Sequence, residues 1–128
     1  EVPSCEISQK IIYIKRFIFK RIKDRVILHF DGVDQIAKVY LNDIFLGEHI
    51  GGYLPFEYEV SDEIKQGRNT LKVEVIDKLD KTYPYGKQSL KPSGMWYTPV
   101  TGIWKDVWLE QVPETYIKDI KISYLLEY

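Results

Sequence analysis

The stretch Ile36-Ala37-Lys38-Val39-Tyr40-Leu41-Asn42-Asp43-Ile44-Phe45-Leu46-Gly47-Glu48-His49 decides the fold class. Ala37, Val39 and Leu41 alternate with polar or larger residues, which is the period of a strand with one buried face. Asn42-Asp43 then interrupts the pattern. Both residues tolerate positive φ and hydrogen-bond their own backbone, so they suit a tight turn. Ile44 to His49 reads as the returning arm, and Ile36 to His49 as a β-hairpin.

Working outward, strand signals continue on both sides. Ile11 to Lys20 mixes β-branched, aromatic and basic residues. Arg25 to Asp31 alternates, with Val26, Leu28 and Phe30 on one face and Ile27, His29 and Asp31 on the other. Gly51-Gly52-Tyr53-Leu54-Pro55 forms a loop, because two glycines and a proline end regular pairing. Phe56 to Val60 is a short strand. Ser61-Asp62-Glu63-Ile64 has the composition of a single helical turn capped by Ser61 and ended by Gly67. Asn69 to Asp77 is a strand with Leu71, Val73 and Val75 inward and Lys72 and Glu74 outward. Ile103 to Gln111 reads as another strand, and Tyr116 to Tyr124 as the last. Trp104 and Trp108 would then emerge about 13 Å apart on one face. That arrangement favours burial in the core or against a neighbouring domain over an open platform. Short strands at this spacing, with no internal repeat, predict an all-β antiparallel sandwich.

The 128 residues fit one domain, 1–128, with enough apolar content to build a core without disulfides or metal. Ten Tyr and three Trp favour strands and contact surfaces over a helical bundle. The net charge of −1 gives no basic footprint for nucleic acid. The run Lys15-Arg16 to Lys20-Arg21-Ile22-Lys23 alternates with apolar residues, as the solvated face of a strand does. No window of about 18 apolar residues suggests a membrane span. Cys5 is alone, so no disulfide framework exists.

The sequence offers no complete catalytic or metal centre. Hydrolysis of a glycosidic bond needs two carboxylates facing it, and the acids here sit on the polar faces of strands. His29 and His49 share no ligand spacing with Cys or each other, so His49 reads as a hydrogen-bonded structural residue. Asp31-Gly32-Val33-Asp34 is too short in oxygen ligands for calcium and reads as a turn. The irregular segment from Lys78 to Pro99 is the sharpest feature. It holds Pro84, Gly86, Pro92 and Gly94 among Tyr83, Tyr85, Trp96 and Tyr97. Sugars stack their C–H faces on aromatic rings while their hydroxyls meet fixed polar groups. Tyr85, Trp96 and Tyr97 supply rings, and Lys87 and Gln88 supply polar groups. The competing reading is that these rings only pack the segment onto the sandwich.

Four segments together resemble the sugar-binding domain of glycoside hydrolase family 2, the group of β-galactosidases, β-glucuronidases and β-mannosidases. They are Leu28-His29-Phe30-Asp31-Gly32-Val33 with Ala37 to Asp43; Leu46 to Phe56; Gly67-Arg68-Asn69-Thr70-Leu71-Lys72-Val73; and Gly86-Lys87-Gln88 with Trp96-Tyr97-Thr98 and Thr101 to Glu110. The resemblance implies a jelly-roll sandwich of the galactose-binding-domain type. It implies an immunoglobulin-like domain and a (β/α)8 barrel that would follow, the barrel carrying both catalytic glutamates. The chain would then be a non-catalytic fragment, inactive alone, that packs on the barrel and gives one wall of the sugar site. It implies no cofactor. In many members an Asp six residues before the glycine of the Gly-Ile motif contacts the sugar. Here that position, counted from Gly102, is Trp96, whose indole stacks and donates a single hydrogen bond. Either the substrate is read differently or the local alignment is shifted. A free-standing carbohydrate-binding module or lectin, and a purely structural domain, stand as the rival readings.

Overall fold

A computed structural model describes residues 8–78, 93–95 and 101–126. The expected hairpin forms as β4 (Ile36–Leu41) and β5 (Ile44–Ile50). Asn42 and Asp43 take φ of 51° and 67°, the left-handed pair that a two-residue hairpin turn requires. Around it lie β1 (Ser8–Phe19), β2 (Arg25–Phe30), β3 (Val33–Asp34), β6 (Phe56–Glu59), β7 (Gly67–Lys78), β8 (Gly102–Ile103) and β9 (Val107–Val112).

All pairings are antiparallel. One sheet has the order β1-β7-β4-β5, a second β6-β2-β9, and β3 and β8 make a small two-stranded ribbon. The two larger sheets enclose one core. Val26, Leu28 and Phe30 of β2 meet Ala37, Val39 and Leu41 of β4 and Leu71, Val73 and Val75 of β7. These are the faces that the alternation assigned inward. The predicted antiparallel β-sandwich is therefore the observed fold.

Three local expectations are corrected. Residues 61–63 make a turn and not a helix. The Ser61 hydroxyl does not cap that turn. It accepts from the Val26 amide of β2 at 3.0 Å and donates to Glu59 at 3.1 Å. An amide of the neighbouring strand in the same sheet outcompetes the local cap.

The expected strand from Ile103 to Gln111 is broken at residues 104–106. The Trp104 amide turns to the Gly32 carbonyl at 3.3 Å, and the Asp106 carbonyl takes the Asp31 amide at 3.0 Å. The chain thereby steps from the ribbon to the three-stranded sheet, so Trp104 and Trp108 do not share a strand. Both rings are nearly half exposed, at 46% and 43%, so neither is buried in the core of this chain.

Residues 113–126 contain no strand. They cross the outer face of the three-stranded sheet instead. Arg25 stacks over Tyr116 at 5.2 Å and donates to the Glu114 carbonyl, and Lys118 pairs with Glu57 at 2.6 Å. Ile117, Ile120 and Ile122 remain exposed, because no strand edge in the described residues receives their alternating pattern.

Candidate functional site

One end of the sandwich gathers the polar and aromatic groups that a ligand would meet. It is built by the β3–β8 ribbon, the loop 51–55 and Trp104. Asp34 pairs in register with Gly102. Gly102 has φ of +112°, and a side chain there would collide with the Tyr13 hydroxyl, which accepts from the Ile103 amide at 3.3 Å. The Asp34–Gln35 peptide is cis, and the Gln35 carbonyl accepts from the Gly51 amide at 2.9 Å.

The Asp34 carboxylate lies against Gly52. A Cβ on Gly52 would come within 2.7 Å of Asp34 Oδ1, so the close approach depends on glycine. Burial, with the Asp77 carboxylate as the second cause, raises Asp34 to about 6. Asp77 is itself buried and accepts from the Thr101 hydroxyl at 2.5 Å.

Trp104 forms the rim. Its indole N–H donates to the Gly52 carbonyl at 2.8 Å, and the ring meets Tyr53 edge-on at 6.3 Å between centroids. Lys105 lies over the ring at 4.6 Å. Gly32 makes room for it, since a Cβ there would sit 2.9 Å from the indole nitrogen. Tyr53 and Leu54 are exposed beside it.

Inside the same end, His49 stacks on Phe56 at 4.1 Å, and burial pushes its imidazole pKa down. Its Nε2 and the Oε1 of Gln35 are buried without a partner among the described residues. His49 thus packs by its ring and meets the backbone of Gly51 through a hydrogen bond, as a structural residue does.

A second aromatic feature lies on the outer face of the three-stranded sheet. His29 stacks flat on Trp108, with centroids 3.9 Å apart, and its ring nitrogens face Glu110 at 2.8 Å and Glu57 at 3.3 Å. Trp108 donates to Asp31 at 3.1 Å. His29 and Trp108 face each other across the β2–β9 pairing.

Trp96, Tyr97, Lys87 and Gln88, named from sequence as sugar contacts, lie outside the described residues, as do Tyr83 and Tyr85. Asp34, Tyr53 and Trp104 were not singled out as sugar contacts. The usable signal was the Gly51-Gly52 pair, whose second glycine is the one the Asp34 carboxylate needs. Among the described residues no group of three or more His, Cys, Asp or Glu is placed to hold a metal ion.

Comparison with known proteins agrees with this geometry. The model of the glycosyl hydrolases family 2 sugar-binding domain matches residues 5–113. The chain is 40% identical over 100 residues to a β-galactosidase of Thermoanaerobacter pseudethanolicus, covering 75% of this chain and 12% of that protein. It is 34% identical over 135 residues to a β-galactosidase of Thermoanaerobacterium thermosulfurigenes, covering 96% of this chain and 18% of that one. Among solved structures, a Bacteroides uniformis β-glucuronidase covalently bound to cyclophellitol-6-carboxylate aziridine superposes with a TM-score of 0.67 at 26% identity. That match covers 85% of this chain and 13% of the other. The chain thus spans only a small part of the relatives it matches. A family model covering most of the sequence, carried on the antiparallel sandwich that the family's segments build, places the chain in glycoside hydrolase family 2 as its sugar-binding domain.

Proposed function

We propose that this domain, 1–128, is a non-catalytic part of a larger retaining β-glycosidase and forms one wall of that enzyme's sugar site. The supporting observation is the end of the sandwich where Asp34 and Trp104 meet at Gly52, Tyr53 meets Trp104, and Asp34 pairs in register with Gly102, a few residues in sequence after Trp96 and Tyr97. Trp96 and Tyr97 would add stacking surface, and Lys87 and Gln88 polar contacts. The two carboxylates of a double displacement would come from a barrel in the same polypeptide. An immunoglobulin-like domain would lie between them, and this domain would pack on the barrel.

The test is kinetic, in an enzyme carrying this chain. Trp96→Ala should lower kcat/KM about tenfold or more if the ring touches substrate, because a lost transition-state contact of about 1.4 kcal/mol is a factor of ten. Unchanged kinetics with a lowered melting temperature would leave packing as the role of Trp96 and overturn the reading. The separated domain should show no glycosidase activity.

A further inference from the structure

We infer that the free edge of β9 and the apolar cleft beside it receive one further β-strand from the larger polypeptide that contains this domain. That strand carries alternating apolar side chains and a carboxylate that meets Lys15. The inference rests on the reading of the domain as part of a larger enzyme.

The first support is the direction of the backbone groups in β9. Val26 spends its backbone on the β6 side, where its N–H donates to Ser61 Oγ and its carbonyl accepts from the Val60 amide. Asp31, just past the other end of β2, donates to the Asp106 carbonyl on the β9 side. Backbone groups alternate sides along a strand, so Arg25, Ile27 and His29 face β9, and their partners Val112, Glu110 and Trp108 face back. Val107, Leu109 and Gln111 therefore aim their N–H and C=O groups away from β2. β9 ends its sheet, and among the described residues no strand lies on that side. Such a row of open groups is a template for strand addition.

The second support is the unfinished core. The β1-β7-β4-β5 sheet has four strands and the sheet across the core three. A cleft of about 510 Å3 opens between β1 and β9. Tyr13 and Phe17 of β1, Ile103 of β8, and Val107 and Leu109 of β9 line it. All five pack against the core yet are only partly buried. Val107 and Leu109 also carry the open backbone groups, so a strand that pairs there lays its inward side chains over the cleft. A small apolar ligand would cover the cleft and leave the edge unpaired.

The third support is Lys15. It lies between Tyr13 and Phe17 on the inward register of β1, and it lines the same cleft. Among the described residues no carboxylate pairs with it. A lone ammonium at an apolar mouth is matched by a carboxylate on the incoming strand. The charge selects the partner and sets its register, while the apolar alternation supplies the buried area.

The experiment reads amide hydrogen exchange residue by residue, in this chain and in an enzyme carrying it. In the chain alone, the amides of Val107, Leu109 and Gln111 should exchange about a hundredfold or more faster than those of Trp108 and Glu110. In the enzyme all five should be slow. A synthetic peptide of alternating valine and threonine with one central glutamate, added to the chain, should slow the three edge amides about tenfold or more. Lys15→Glu should weaken that effect about fivefold and turn the preference to a lysine-centred twin, with an unchanged melting curve. Edge amides already slow in a monomer would show that the chain covers its own edge, and in a dimer that a second copy does; either overturns the inference. So does a peptide that leaves them unchanged, or edge amides that stay fast in the enzyme. If those amides stay fast while Trp96→Ala impairs catalysis, the strand assignment alone fails. If they slow and Trp96→Ala changes nothing, the sugar-wall reading alone fails.

Discussion

Asn42 donates from its side-chain nitrogen to the side-chain oxygen of Asn69 at 2.8 Å, joining the hairpin turn to the head of β7. Around this link every polar atom is used. Asn42 also donates to the Glu63 carbonyl and accepts from the Thr70 amide. Asn69, 3% exposed, accepts from the Lys65 amide and donates to the carbonyls of Lys65 and Gly67. Two asparagines thus tie the β4–β5 turn, the 61–67 turn and β7 into one corner. Asn69→Ala should lower the urea midpoint by the equivalent of about 2–3 kcal/mol with an unchanged m-value, since buried donors and acceptors lose their partners. A double-mutant cycle with Asn42→Ala should show a coupling of about 1 kcal/mol. Additive effects would mean the link is incidental.

Gly102→Ala should destabilise the domain by about 2–3 kcal/mol, the usual scale of a forced backbone conformation plus a clash. The φ of +112° supplies the backbone part, and the Tyr13 hydroxyl supplies the clash. Tyr13→Phe in the same molecule should recover only part of the loss, because removing the hydroxyl leaves the dihedral unchanged. Full recovery in a thermal melt would show that sterics alone reserve the position for glycine.

Asp34 makes stability depend on pH in the opposite sense to a salt-bridged acid. Its folded value, about 6, lies above the ordinary 3.8. The folded state therefore holds the proton more tightly than the unfolded chain does. Its contribution is most favourable below about pH 4 and is lost as pH rises towards and past 6. Asp34→Asn should melt higher than the parent at pH 7, and the gap should close near pH 4. A gap that does not change with pH would rule out this titration as its source.

Trp108→Ala should cost about 1–2 kcal/mol, through the lost stack on His29 and the lost hydrogen bond to Asp31. The ring is 43% exposed, so the loss should stay well below that of a core aromatic. A loss above about 4 kcal/mol in chemical denaturation would mean the ring supports the interior.

The parts of the fold legible in sequence are those decided by near neighbours. Asn42-Asp43 states its own turn, and the alternation through Val39, Leu41, Leu71 and Val73 states which faces are inward. What escaped depends on distant partners. Ser61 looks like a cap until the Val26 amide arrives from another strand. Ile103 to Gln111 looks continuous until Gly32 and Asp31 take the hydrogen bonds of Trp104 and Asp106. The site followed the same rule. Asp34 carries no local sign of its position. Its environment is made by Gly52 and Asp77, which the fold brings to it from other segments. The aromatic residues from Tyr83 to Tyr97 suggest a contact surface through composition alone, and they lie outside the described residues.

The β1–β7 pairing sets a timetable for biosynthesis. Phe19 pairs with Gly67 and Ser8 with Lys78, so β1 emerges from the ribosome long before its partner is made. At about 5–20 residues per second the wait is on the order of several seconds. Through that interval a nascent strand rich in isoleucine has no sheet to join, and pairing this remote in sequence is slow once its partner arrives. Lys15 and Arg16, side by side in the middle of β1, then act as gatekeepers. They break the apolar run where one unshielded nascent chain would otherwise zip onto another.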